Sequence, residues 1–139
     1  MSPRLILYPV FTQVLLTIVA YLKLKAAKNK AVRDGTVDAA RRGLDEDAWP
    51  DYVRRINNNI RNQFEVPVLF YVLAWTLFAL NAVGFVALVL AWLFVASRIA
   101  HAYVHIGSND VRARRRSFMI GGMTIIALGI VALCALLSE

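Results

Sequence analysis

Four apolar runs constrain this chain more than any other feature: Leu5–Leu22, Phe64–Val83, Gly84–Tyr103 and Phe118–Leu137. Each is about 18–20 residues long, which at about 1.5 Å per residue covers roughly the 30 Å hydrocarbon core of a bilayer. Inside lipid a segment of this length satisfies its backbone polar groups as a helix. The sequence therefore predicts a single all-α domain over 1–139, an integral membrane four-helix bundle with spans at about 5–22, 64–83, 84–106 and 118–137. A soluble domain carries about 45–50% apolar residues, and the 59% found here is concentrated in the four runs. The first run reads as a retained span and not a cleaved leader. Only Arg4 precedes it, Lys23, Lys25, Lys28 and Lys30 follow it, and no clear A-x-A site appears. Cys134, the sole cysteine, excludes a disulfide framework and a cysteine metal motif, and its place in the last run marks it as a packing residue.

The net charge of +7 is a topology signal. Ten of the 16 Lys and Arg lie between 23 and 61 and four between 112 and 116, while the turn near 81–84 has none. The positive-inside rule makes 23–61 and 107–117 cytoplasmic loops and puts both termini outside. Nucleic acid is not an expected partner; anionic lipid or a small anionic ligand is. In the long connection, residues 23–49, Ala-rich pieces divided by Asp34-Gly35 predict short interfacial helices. Pro50 and Asp51 suit the start of a further helix. That helix would run to about residue 82, roughly 50 Å, with its first half standing in the cytoplasm.

The stretch NNNIRNQFEVP, residues 57–67, sits at the mouth of this second span. At 100° per residue Arg54, Asn58, Asn62 and Glu65 fall within about 60° of one another, with Arg61 beside them. An ionised carboxylate at the centre of a span costs about 2.5–3.5 kcal/mol, and less near the interface. Glu65 must therefore face protein or water. Pro67 crowds the carbonyl of Gln63 and predicts a kink that opens a groove beside Glu65. A plainer reading makes the stripe interhelical glue. A second polar cluster at the same depth weighs against it: Arg98, His101 and His105, spaced i, i+3, i+7 on the third span. Two histidines four apart could hold a metal, but Arg98 shares their face, no H-E-x-x-H motif exists, and Glu65 is the only nearby acid; no metal is expected. The plainer role for Arg98 is snorkelling to the interface. Arg112, Arg114, Arg115 and Arg116 then precede the fourth span, either as a topology anchor or as bidentate partners for carboxylates. Together the clusters describe a site at the cytoplasmic interface for a small anionic peptide or nucleotide from water and an apolar molecule from lipid. A proton or ion pathway through Glu65 and the histidines is a weaker alternative, because the polar groups gather at one face and do not cross the bilayer.

These residues resemble the MAPEG family, membrane-associated proteins in eicosanoid and glutathione metabolism. The resemblance covers the whole chain. It is carried by Asn62-x-x-Glu65 with Pro67, preceded by Arg54, Arg55 and Arg61, and by Arg98-x-x-His101-x-x-x-His105. NQFEVPVLFY is similar to the bacterial branch, which implies a bacterial inner membrane. Two departures stand out. His105 takes the place of a tyrosine of the prostaglandin E synthase branch. Proline follows the glutamate by two residues, where human enzymes of the family place it three or four later.

The resemblance implies a homotrimer with glutathione as cosubstrate, bound between adjacent subunits near the cytoplasmic face. Arginines (Arg54, Arg61, Arg98) and Asn62 would hold its carboxylates and Glu65 its amino group, with His101 and His105 completing the site. An arginine at the start of the fourth span, matched to Arg116 with Arg112, Arg114 and Arg115 as other registers, would stabilise the thiolate. The activity implied is that of a glutathione transferase or peroxidase on hydrophobic electrophiles or lipid hydroperoxides. The family's second mode is non-catalytic lipid binding or scaffolding. Independently, Gly121, Gly122, Ala127, Gly129, Ala132 and Ala135 permit close helix approach. With the polar faces of the second and third spans needing cover from lipid, a homotrimer is expected on these grounds too.

Overall fold

The computed structural model of the chain describes residues 1–138. Five helices follow in order: α1 Leu7–Arg33, α2 Asp51–Gln63, α3 Val66–Ala79, α4 Phe85–Ile106 and α5 Val111–Leu137. Single 3₁₀ turns occupy Pro3–Ile6 and Glu46–Ala48, and no strand occurs among the described residues. With their 3₁₀ lead-in where present, α1, α4 and α5 are each long and apolar enough to cross a membrane. Segments α2 and α3 run in succession and together form the fourth member of an integral membrane bundle.

Two local expectations are corrected. No separate interfacial helix follows the first span: α1 continues through Lys23–Arg33. The sequence AAKNKAVR is rich in strong helix formers, and nothing interrupts it before Asp34 and Gly35, where Gly35 adopts φ +66°. The kinked helix over 50–82 is instead two helices. Glu65, at φ −98° and ψ −101°, leaves helical geometry altogether. Pro67 then lies in the first turn of α3, where its missing N–H goes unneeded. The proline starts a new helix where a bend of the old one was expected.

Packing divides into two cores. In the apolar half Phe70 and Leu77 of α3 meet Ala87, Ala91 and Phe94 of α4 and Ile125, Leu128 and Ala132 of α5. Phe70 stacks on Phe94 with ring centroids 4.6 Å apart. In the basic half Ala20, Leu24 and Ala31 of α1 close on Val53, Ile56 and Ile60 of α2. Where the two cores adjoin, a buried amide ladder ties α1 to α2: Gln13 Nε2 donates to Gln63 Oε1 at 2.7 Å, and Gln63 Nε2 to Asn59 Oδ1 at 3.3 Å. Within the 57–67 stretch Gln63 is thus interhelical glue, with Asn59 backing it from one turn earlier on the same helix.

The outer surface is apolar, with Leu15, Ile18, Leu69, Trp75, Ile126 and Ile130 all exposed, as suits lipid. Cys134 belongs to this surface and is not a packing residue. It lies nine positions after the inward-facing Ile125, about 180° out of phase. Asn81 and Asn109 take left-handed backbone in the two short turns, φ 52° and 54°, a conformation asparagine tolerates. Asp110 caps α5 by accepting the Arg112 amide at 2.9 Å.

Candidate functional site

The break between α2 and α3 opens a pocket of about 520 Å³ toward the basic ends of α4 and α5. Asn58, Arg61, Asn62 and Glu65 line one side, His101 and His105 a second, and Val111, Arg114, Arg115 and Phe118 a third. Each contribution follows from helix phase. On α2 the residues facing α1 are Asn59, Ile60 and Gln63, which turns Asn58, Arg61 and Asn62 the other way. On α5 the close approach of Gly121 to Ser97 sets the rotation, because a Cβ there would lie 2.9 Å from Ser97 Oγ. Counting back three and seven residues brings Phe118 and Arg114 onto the same face.

Asn62 is the node. His101 Nδ1 lies 3.1 Å from the Arg114 carbonyl, which can only accept, so Nδ1 carries the ring proton. Nε2 of the same ring then accepts from Asn62 Nδ2 at 3.3 Å. The second amide hydrogen points to His105 Nδ1 at a looser 3.5 Å. The Asn62 carbonyl, in the last turn of α2 where helical acceptors lose their partners, takes Arg98 Nη2 at 3.0 Å. One asparagine therefore joins α2 to three side chains of α4, and through His101 to α5.

Arg98 is 1% exposed and does not snorkel. Its guanidinium lies beneath the pocket, 6.0 Å from the Phe118 ring, and its Nε has no partner among the described residues. It contributes positive charge from below and lines none of the pocket wall. Glu65 is exposed at the rim, and none of the ion pairs among the described residues includes it.

The expected arginines separate. Arg61 lines the pocket and also pairs with Glu46 at 2.5 Å, a carboxylate that accepts from Asn57 as well. Arg54 is turned away, held by Asp47 at 2.6 Å and Asp51 at 3.7 Å. At the start of α5, Arg114 and Arg115 line the pocket, whereas Arg116 is exposed and outside it. Five residues between Gly121 and Arg116 amount to about 140° of rotation away from the inward face. Arg114 is itself engaged, donating to Asn109 Oδ1 at 2.8 Å, which leaves Arg115 as the free guanidinium.

Asn58, a member of the polar stripe, lines the pocket as the stripe predicts, whereas Val111 and Phe118 join it without a signal of their own; Arg55 instead donates to the Gly107 carbonyl at 3.1 Å and closes the end of α4. The small residue at 121 carried the missing signal, because the phase of α5 can be counted from it.

The architecture, the Asn62–Glu65 break and the Arg98–His101–His105 face occur together along one chain, and residues 5–134 match the sequence profile of the MAPEG family. The chain belongs to the MAPEG family. No curated protein and no solved structure matches it. Within a MAPEG protein the pocket has the composition a charged peptide requires. Arg61, Arg114 and Arg115 offer cations, Glu65 an anion, and the Asn62 Oδ1 a neutral acceptor. Such a site suits a zwitterion with more carboxylates than amines. It is a less natural place for a metal ion, because His101 Nε2 and His105 Nδ1 are both engaged by the Asn62 amide.

Proposed function

We propose that this MAPEG protein is a glutathione-dependent transferase or peroxidase acting on hydrophobic electrophiles or lipid hydroperoxides. The observation that carries the reading is one open pocket in which the Glu65 carboxylate, unpaired among the described residues, lies beside Arg61 and Asn62 on one wall, with the free Arg115 guanidinium on another. Glutathione has two carboxylates, one ammonium and one thiol. In this reading Arg61, assisted by Asn62, holds carboxylate, Glu65 holds the ammonium, and Arg115 lies beside the sulfur. A thiol of ordinary pKa, about 8.5, is mostly protonated at neutral pH. A cation that stays charged at low dielectric favours the thiolate, the form that attacks. The apolar partner arrives laterally from lipid.

The assembly that fits this chemistry is a homotrimer in a bacterial inner membrane, with the four spans predicted from the sequence and both termini outside. The basic loops and the pocket mouth are cytoplasmic, where the thiol is dissolved. In a trimer Arg116, outside the pocket of its own protomer, is available to a neighbour's, whereas Arg54 would first have to leave Asp47 and Asp51.

Thiolate ultraviolet absorbance on mixing purified protein with glutathione tests the reading. An absorbance rise that saturates with glutathione, and that Glu65→Gln shifts to higher concentration without changing its amplitude, is the expected result. Saturable binding with no thiolate signal would instead favour the lipid-binding or scaffold mode.

Glu46 already occupies Arg61, so a ligand carboxylate must displace it. Glu46→Gln is expected to tighten glutathione binding by up to about fivefold, since an exposed ion pair of this kind is worth up to about 1 kcal/mol. Isothermal titration would read the change, and unchanged affinity would mean that Arg61 does not bind the ligand.

A further inference from the structure

On the opposite side of α2 from the pocket, α1 and α4 leave a groove of about 260 Å³ that opens to the lipid-facing surface. Its walls are Leu16, Val19 and Ala20 from α1 and Ile99, Ala102, Tyr103 and Ile106 from α4. Two polar residues interrupt this apolar lining. Asn59 is completely buried; its Oδ1 accepts from Gln63, and its Nδ2 has no partner among the described residues. A buried amide donor left unmade is costly. Lys23 stands at the basic end of the groove, exposed, one helical turn or about 5 Å beyond Ala20.

We propose that this groove is a binding site for one anionic glycerophospholipid of the leaflet at the basic end. An acyl chain lies along Leu16, Val19 and Ile99. An ester carbonyl accepts the orphan Asn59 Nδ2–H, and the headgroup phosphate pairs with Lys23. Along α1 the apolar Leu16 gives way to Lys23 at the basic end, the direction in which a lipid runs from chain to phosphate. Tyr103, 82% exposed beside the groove, is the kind of side chain that settles at the headgroup level. The site is separate from the thiol pocket and does not depend on the catalytic reading. The two adjoin through α2, where Asn59 and Gln63 flank the pocket residues Asn58 and Asn62 in sequence, and through α4, where Ala102 and Ile106 follow His101 and His105.

Native mass spectrometry of the detergent-purified protein, titrated in parallel with dioleoyl-phosphatidylglycerol, dioleoyl-phosphatidylcholine and oleate, tests the proposal. The expected result is retention of one phosphatidylglycerol per chain in preference to the other two. Lys23→Gln, a surface change that leaves the fold alone, should weaken phosphatidylglycerol retention roughly fivefold, matching about 1 kcal/mol per lysine at a membrane surface, and should weaken phosphatidylcholine less, because choline already neutralises its phosphate. Asn59→Asp keeps the acceptor for Gln63 and removes the donor, and should lower retention of both ester lipids. Equal retention by the wild type and both variants would overturn the proposal. So would preferential capture of oleate, or a disulfide cross-link between chains through Ile99→Cys, which would show that a second copy covers the groove.

Discussion

Arg115→Ala is expected to lower turnover with glutathione by about 10²–10³, the usual loss when one preorganised group that stabilises developing charge is removed, and to change glutathione affinity far less. The asymmetry arises because the guanidinium discriminates between thiol and thiolate, whereas binding is shared with Arg61, Asn62 and Glu65. Arg116→Ala is the informative comparison. Its side chain points away from the pocket of its own protomer, so if each pocket is complete within one chain the variant keeps wild-type turnover. A loss in Arg116→Ala equal to that in Arg115→Ala would instead assign the thiolate to an arginine contributed by a neighbour. Arg114→Ala should act differently from both. Removing its contact with Asn109 loosens the α4–α5 turn, and the variant should show a lower melting temperature together with any kinetic effect. Normal rates in all three variants would make the arginine run a topology anchor.

Gly121→Leu is expected to be the most damaging single change to the fold. A Cβ at this position meets Ser97 Oγ at 2.9 Å and has Arg98 Cδ and Phe94 Cε2 at 3.8 Å. Overpacking of a dense interior costs about 1–3 kcal/mol or more, and here the strain falls on the helix pair that carries His101 and Arg114. Thermal unfolding in detergent should show a large drop for Gly121→Leu and a smaller one for Gly121→Ala. The alanine variant needs only the Ser97 hydroxyl to leave its bond to the Phe94 carbonyl. Pairing Gly121→Ala with Ser97→Ala should recover much of that smaller loss, because the two side chains share one space. Additive losses in the pair would mean that the close approach does not limit stability.

The sequence discloses the bundle because hydrophobic length is a one-dimensional property, visible wherever charge is absent. It also discloses the Arg98–His101–His105 face, since α4 is regular from end to end and its phase can be counted. It fails where a side chain's role depends on what lies across from it. Nothing local says that Gln13 will meet Gln63, so a stretch read as one polar stripe divides into a face that glues α1 and a face that lines the pocket. Glu65 reaches the pocket, but by leaving the helix whose periodicity predicted its direction. Distance from the apolar run singles out Arg116, whereas the rotation counted from the small residue at 121 turns it out of its own protomer's pocket. The depth of Cys134 in the same helix suggests packing, but its azimuth places it on the outer surface. Arg54 looked available because its acidic partners, Asp47 and Asp51, lie in and beside a loop whose path no periodicity predicts.

The shortness of α3 affects more than the position of the pocket. Its 14 residues rise about 21 Å, whereas the apolar part of α5, residues 118–137, rises about 30 Å. One wall of the bundle is therefore much shorter than the membrane that the opposite wall is built to fit. Lipid beside that wall must thin, or water must descend to meet the end of α2, and the cost of either is graded in ångströms of hydrocarbon thickness. In thin membranes the pocket lies nearer the headgroups, and in thick ones deeper, among the acyl chains where apolar reactants concentrate. In the proposed reaction, bilayer thickness would then set how far the charged thiol peptide travels down to meet a partner already dissolved in the oil.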